Sequence, residues 1–269
     1  MNNFRLTQDD VPVTIPGGRS PEGIGMASRA AFQGGGGQVL DAVREQHWNE
    51  SQLASPVVQP LMKVWCYRQG AIVLGRSQHA LAAASGHAGV TGLALVKRGA
   101  GGGAVLVGPW LLSVSFLLPL NDPRMMTASV ADSYRWLGEA MVATLADIGL
   151  SARAVPPAQR IAAPQRLAWA CFAGVAPWEV VVDDPVLGIS RKLVGFAQRR
   201  SRYGVLLAMG VLMDRAPWSL LTGTLGHSPD LAAELATVTV DLASLTKVTV
   251  TAEALLARLI PRLQPMQLC

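Results

Sequence analysis

The chain has 269 residues, half of them hydrophobic and only 15% charged, so it can bury a sizeable core and is not disordered throughout. Its 23 Lys and Arg against 18 Asp and Glu leave a net charge of +5. The cations form no long blocks, which argues against nucleic acid and suits an acidic protein partner or an anionic small molecule. Cys66, Cys171 and Cys269 lie far apart with no CxxC pair, as expected of free thiols in a reducing cytoplasm. His47, His79, His87 and His227 share no ligand spacing, so no metal site is expected.

Residues 1–37 are rich in Gly, Pro and Ser and end in four glycines, which reads as a flexible N-terminal segment without a signal peptide. A single domain is expected over 38–269. Its first helix falls near 39–48, and strands follow at 61–67 and 71–74, divided by Gly70. Another strand at 93–97 runs into a glycine cluster, after which 105–107 and 111–117 continue the sheet. The apolar run 104–120 is short for a membrane span and is broken by Gly108, Pro109 and Pro119, so buried strands explain it better.

From Val130 the period changes. Val130, Tyr134, Leu137, Met141, Leu145 and Ile148 recur at three- and four-residue steps, with Gly149 as a stop, which predicts an amphipathic helix. A loop over 154–166 precedes strands at 178–182, 192–197 and 204–213. Ser228-Pro229-Asp230 opens one helix, and a last helix covers 251–260 before Pro261. Strands, a long helix, strands and terminal helices in that order predict an α+β domain.

Three segments carry candidate chemistry. In Arg98-GAGGGAV, consecutive glycines between apolar strands let the backbone approach a ligand, with Arg98 adding charge. The stretch Arg191-KLVGFAQRRSR is basic, and Lys192 opens a strand where its amine could be fixed against an anion. Cys171 lies among apolar residues, as a small core residue would, and gains interest only beside a cation.

Taken together and in this order, these segments resemble the lipoate–protein ligase A family, which shares its catalytic fold with biotin ligases and includes cysteine-type octanoyltransferases. Ala71-IVLGRSQ looks like the family's Gly-Arg-x-Gln strand end, Val96-KRGAGGGAV its ligand loop, and Lys192-LVGFAQRR its lysine segment. The resemblance implies a mainly antiparallel mixed sheet flanked by helices. It further implies attachment of a lipoyl or octanoyl group to a lysine of a lipoyl carrier domain, of the 2-oxoacid dehydrogenase or glycine-cleavage type. By the ligase route, ATP and Mg would give an acyl-adenylate, with no permanently bound cofactor. Lys192 would then stabilise the acyl carboxylate, so Lys192→Ala is expected to silence the protein and spare its fold. Gly75, Arg76, Arg98, Gly101, Gly102, Gly103, Ala104, Gly195 and Gln198 would contact substrate.

Cys171-Phe172 followed by Pro177-Trp178-Glu179 is similar to the nucleophile segment of the octanoyltransferases. That likeness implies a second route without ATP, through a carrier-protein thioester such as that of an acyl carrier protein. A non-catalytic lipoyl- or partner-binding homologue is a third reading. Four departures from the family pattern stand out. Ala100 and Phe196 replace serines, Val107-Gly108 replaces His-Asp, and Leu207-Ala208-Met209-Gly210-Val211 replaces His-His-Gly-Thr-Leu.

Overall fold

A computed structural model describes residues 5–6, 40–80, 91–126 and 129–263. Its larger sheet has seven strands in the order β1 (Arg5–Leu6), β2 (Leu61–Cys66), β6 (Leu111–Leu118), β10 (Val205–Leu212), β9 (Ile189–Arg200), β8 (Val180–Asp184), β7 (Arg153–Ala154). All neighbours are antiparallel except β1 and β2. A smaller sheet has the order β4 (Ala94–Lys97), β3 (Ala71–Leu74), β5 (Val105–Val107). The expected α+β architecture is therefore observed, with one change. The segment 105–107 does not continue the main sheet but turns into the second one.

The central strand β6, LLSVSFLL, is buried at all eight positions. Covered on both faces, it shows no alternation, which is why its sequence resembles a membrane segment. No helix among the described residues is long and apolar enough to cross a membrane. Beside the sheets stand α1 (Asp41–Gln52), α2 (Arg135–Ala146), α3 (Trp218–Thr224), α4 (Asp230–Val238), α5 (Leu242–Leu245) and α6 (Ala252–Leu259).

Helix α2 begins five residues later than its apolar period suggests. Ser129 and Ser133 donate side-chain hydrogen bonds to Asp132 and to the Val130 carbonyl, which sets up a 3-10 turn over Asp132–Tyr134 instead of an α-helical one. Its predicted stop holds: Gly149 has φ +81°, and the Leu150 N–H donates back to Leu145 O at 3.0 Å, a left-handed helix termination. Thr251 caps α6 by accepting from Ala254 N. At α4 the capping position is Pro229 rather than Ser228, whose hydroxyl instead bonds Asp230. Of the N-terminal segment expected to be flexible, Arg5–Leu6 pairs with Leu61 and Met62 of β2. Residues 1–4 and 7–37 lie outside the described residues.

Candidate active site

The glycine loop is shaped from inside. Arg98, 6% exposed, donates from its guanidinium to Gly101 O (2.9 Å), Gly103 O (2.7 Å) and Val73 O (3.2 Å). The guanidinium expected to offer its charge to a ligand thus donates to the loop's own carbonyls. Gly102, with φ +94°, turns the chain in a conformation that side-chain-bearing residues rarely adopt. A Cβ on Gly75 would run into Gly102 O, so these two glycines let β3 and the loop touch. Arg76 donates its backbone N–H to Ala100 O (3.0 Å), while its side chain is exposed.

Beyond the loop, the chain meets Cys171. Ala104 N donates to Trp169 O (2.8 Å), and Cys171 N donates to Ala104 O (3.0 Å). The approach is so close that a Cβ on Gly103 would lie 2.5 Å from Trp169 O and 2.8 Å from Cys171 N. Gln78 braces the same junction, donating from Nε2 to Trp169 O (2.8 Å).

Lys192 enters from β9. It is 1% exposed and spends its amine within the protein: on Glu179 Oε2 (2.6 Å), Cys171 O (2.9 Å) and Gly174 O (3.0 Å), with its Nζ 5.0 Å from the Phe172 ring centre. An ammonium has three N–H bonds, and three acceptors take them. Glu179, 2% exposed, also accepts from Ala176 N (2.6 Å) and Phe196 N (2.8 Å). Trp178 beside it is the only non-glycine residue with positive φ among those described, at +66°, and this twist leaves Glu179 immediately before β8. All three segments singled out in the sequence therefore meet around the Cys171 turn.

Cys171 is half-buried and borders a mainly apolar cavity that opens to solvent. Its floor comes from two neighbouring strands in register: Gly195 faces Gly210, and Ala197 faces Ala208. Val73, Val105, Val107, Leu111 and Phe172 supply apolar walls. A Cβ on Gly195 would sit 3.1 Å from Lys192 Cε and 3.4 Å from the Phe172 ring. Ser113, next to Gly210 across the sheet, meets a polar cluster. Glu45 Oε1 accepts from Ser113 Oγ (2.9 Å), and Oε2 accepts from Tyr67 Oη (2.6 Å). Burial pushes the Glu45 carboxyl above its ordinary value, against the lowering effect of the hydrogen bonds from Tyr67 and Ser113. Burial and the carboxylate push the Tyr67 phenol well up.

Of the expected contact residues, Arg98 and Gly195 line the cavity, while Gly101, Gly102, Gly103 and Ala104 shape the adjoining loop. Gln198 instead donates its amide to Ser133 Oγ (3.0 Å), beside the start of α2. Glu45 was missed, and Glu179 and Gln78, though quoted within the motifs, were given no role of their own. Glu179 carried a usable signal, since no other acid lies between Asp147 and Asp183.

Residues 45–256 match the family described as Lipoyl protein ligase A/B catalytic domain. The octanoyltransferase LipM of Kyrpidia tusciae is 37% identical over 134 residues, covering 48% of this chain and 45% of that protein, so the match spans under half of the relative's length. Among solved structures, the bi-partite lipoate protein ligase of Thermoplasma acidophilum, studied with its E2 lipoyl domain, aligns with a TM-score of 0.57. Identity there is 17%, over 82% of this chain and 75% of that one. A lipoate-protein ligase A bound with ATP gives a TM-score of 0.56, also at 17% identity, over 82% and 77%. At such identities the structures establish the fold alone, but the family match covers most of the sequence. The chain belongs to the lipoyl protein ligase A/B catalytic-domain family.

Proposed function

We propose that this protein transfers an octanoyl or lipoyl group from a thioester donor to a lysine of a lipoyl carrier domain, through an acyl-thioester on Cys171. The observation that carries this reading is the pairing of a half-buried thiol at an apolar cavity with a lysine already committed to Glu179. The sequence alone favours an adenylate intermediate stabilised by Lys192. With the Lys192 amine engaged by three acceptors and Arg98 by the loop, neither cation is left to hold a triphosphate in the cavity. The residues present do not fit ATP there. The LipM relative supports the thioester route.

In the first step the Cys171 sulfur bonds to the donor's carbonyl carbon, the carbon–sulfur bond to the carrier breaks, and the thiol proton passes to the departing thiolate. In the second, a target lysine amine attacks the same carbonyl, the amide forms, and Cys171 leaves and regains a proton. The cavity's part is to hold the hydrocarbon tail, with the carbonyl left at the Cys171 end. Lys192 fixes the turn by donating to the Cys171 and Gly174 carbonyls, and Glu179 holds that amine while accepting from Ala176 N. A neighbouring structure of a ligase with its E2 lipoyl domain supports a lipoyl domain as acceptor.

The test is incubation with an octanoyl thioester and no ATP. A hydroxylamine-sensitive octanoyl adduct should appear on Cys171, and Cys171→Ser should neither form it nor transfer. An active serine variant that requires ATP and releases pyrophosphate would overturn the proposal in favour of a ligase.

A further inference from the structure

The cavity beside Cys171 has one polar region, where Glu45, Gln46, Tyr67 and Ser113 line it together. Glu45 and Tyr67 are each only 3% exposed, and polar groups buried beside hydrocarbon are costly unless partnered. Tyr67, Ser113 and Gln46 bring four O–H or N–H hydrogens to this cluster. Glu45 accepts three of them, from Tyr67 Oη (2.6 Å), Ser113 Oγ (2.9 Å) and Gln46 Nε2 (3.1 Å). The second N–H of the Gln46 amide is left over, with no acceptor among the described residues. Burial favours the neutral form of Glu45, which adds to the surplus of donors.

Sheet register sets how far this cluster lies from the thiol. Ser113, Gly210 and Gly195 stand side by side on β6, β10 and β9. Neighbouring strands are roughly 4.8 Å apart, so the row spans about 10 Å. Its Gly195 end adjoins the Cys171 turn, where an added Cβ would lie 3.4 Å from the Phe172 ring. An extended chain advances about 1.2 Å per bond, so an acyl group with its carbonyl at Cys171 brings roughly its seventh or eighth carbon to the cluster. Elsewhere the walls include Val105, Val107 and Leu111, whose side chains offer no donor.

We propose that the spare Gln46 N–H recognises a hydrogen-bond acceptor near the far end of the acyl chain, so that the protein also transfers medium-length oxoacyl groups with a ketone at or near the seventh carbon. This rests on the thioester reading above. The ketone takes no part in the bond changes, which occur at the first carbon as for an octanoyl group. Its oxygen accepts from Gln46, and Glu45 holds the amide in place. A ketone carried into an apolar slot without a donor gives up its hydration uncompensated and loses about tenfold or more in binding. One matched by Gln46 escapes that loss, so the position of the oxygen along the chain decides acceptance.

The experiment gives the wild type the N-acetylcysteamine thioesters of octanoate, 7-oxooctanoate and 4-oxooctanoate and reads the second-order rate constant of Cys171 acylation. Binding of the three free acids is measured in parallel by calorimetry. The two oxo compounds are isomers, so they bring the same hydration to the cavity and differ only in where the oxygen lies. The 7-oxo rate should come within about threefold of the octanoyl rate, and the 4-oxo rate should fall about tenfold or more below it. Gln46→Met keeps the side-chain length and removes the amide. It should lower the 7-oxo rate about tenfold and leave the octanoyl rate within about twofold. The inference is wrong if the 7-oxo donor falls as far as its 4-oxo isomer, a comparison that needs the wild type alone. It is also wrong if Gln46→Met leaves the ratio of 7-oxo to octanoyl rates unchanged. Free acids that bind in the expected order to a protein whose Cys171 is never acylated would keep the Gln46 assignment and discard the thioester route.

Discussion

Replacing Lys192 with Met tests whether the pair with Glu179 is part of the framework. Met keeps most of the side-chain volume but removes the charge and all three donors. Glu179, 2% exposed, would keep two backbone donors, Ala176 N and Phe196 N, and lose its counter-charge at 2.6 Å. The carbonyls of Cys171 and Gly174 would lose the donor that ties the turn to β9. Removing one partner of a buried ion pair costs roughly 3–5 kcal/mol, most of it the uncompensated charge left behind. That is a large fraction of the roughly 5–15 kcal/mol that holds a typical domain folded. Lys192→Met should therefore lower the unfolding free energy by about 4 kcal/mol, read from urea denaturation by tryptophan fluorescence. Adding Glu179→Gln removes the stranded charge and should restore about 2 kcal/mol. The expectation from sequence, that Lys192→Ala silences the protein and spares the fold, gives way to this one. A Lys192→Met protein within about 1 kcal/mol of wild type, or a double variant no more stable than the single, would refute the account.

The other substitutions probe the loop, the cavity and its inner cluster. Gly103→Ala places a Cβ against the backbone of Trp169 and Cys171, which no rotamer can relieve, so acylation of Cys171 should fall at least a hundredfold; near-normal labelling would show that the two segments need not touch. Ala208→Leu fills the cavity floor opposite Ala197 and should shift preference from octanoyl to shorter acyl donors, seen in relative kcat/KM values across a chain-length series. Unchanged chain preference would place the tail elsewhere. Glu45 has a folded-state pKa raised by burial, so the folded protein binds this proton more tightly than the unfolded chain. Its contribution is fully present below the ordinary glutamate value and is lost as pH rises through the folded value. Glu45→Gln should consequently flatten the fall in stability across that window, measured by denaturation from acid to neutral pH, and an unaltered slope would assign the decline to another group.

Much of the fold was legible because strand and helix periods were clean where burial is one-sided or complete. Ala71–Leu74 and Val105–Val107 were bounded correctly, and Gly149 marked the end of α2. Helix α3 was missed, since Trp218–Thr224 is too short to show a period and contains Gly223. The strand β7 has only two residues, and its pairing with β8 is invisible locally. The glycine loop, Cys171 and Lys192 were legible as site segments, but the partners of Arg98 and Lys192 were not. Those partners are mainly backbone carbonyls, which every residue possesses and no residue type announces. Glu179 reaches Lys192 across a hairpin with a bulge between Val180 and Val181, where counting alternate residues loses the register.

The cations of the site sort into two groups by burial, and that division bears on the reaction. Arg98 and Lys192 are inside, their donors engaged in holding the glycine loop and the Cys171 turn, and Lys192 is also paired with Glu179. Arg76, Lys97 and Arg160 are outside, exposed to solvent. A nucleotide triphosphate would need free cations where the chemistry occurs, because burying several negative charges without partners is costly. A thioester makes no such demand. Its carbonyl is uncharged before attack, and its tail asks only for hydrocarbon. The residues at which this chain departs from its family answer that simpler demand: Val107, Ala208 and Gly210 stand in places where the family pattern has His or other polar groups, and all three line the cavity. On the thioester route these replacements are not losses. They exchange polar side chains for room and apolar surface.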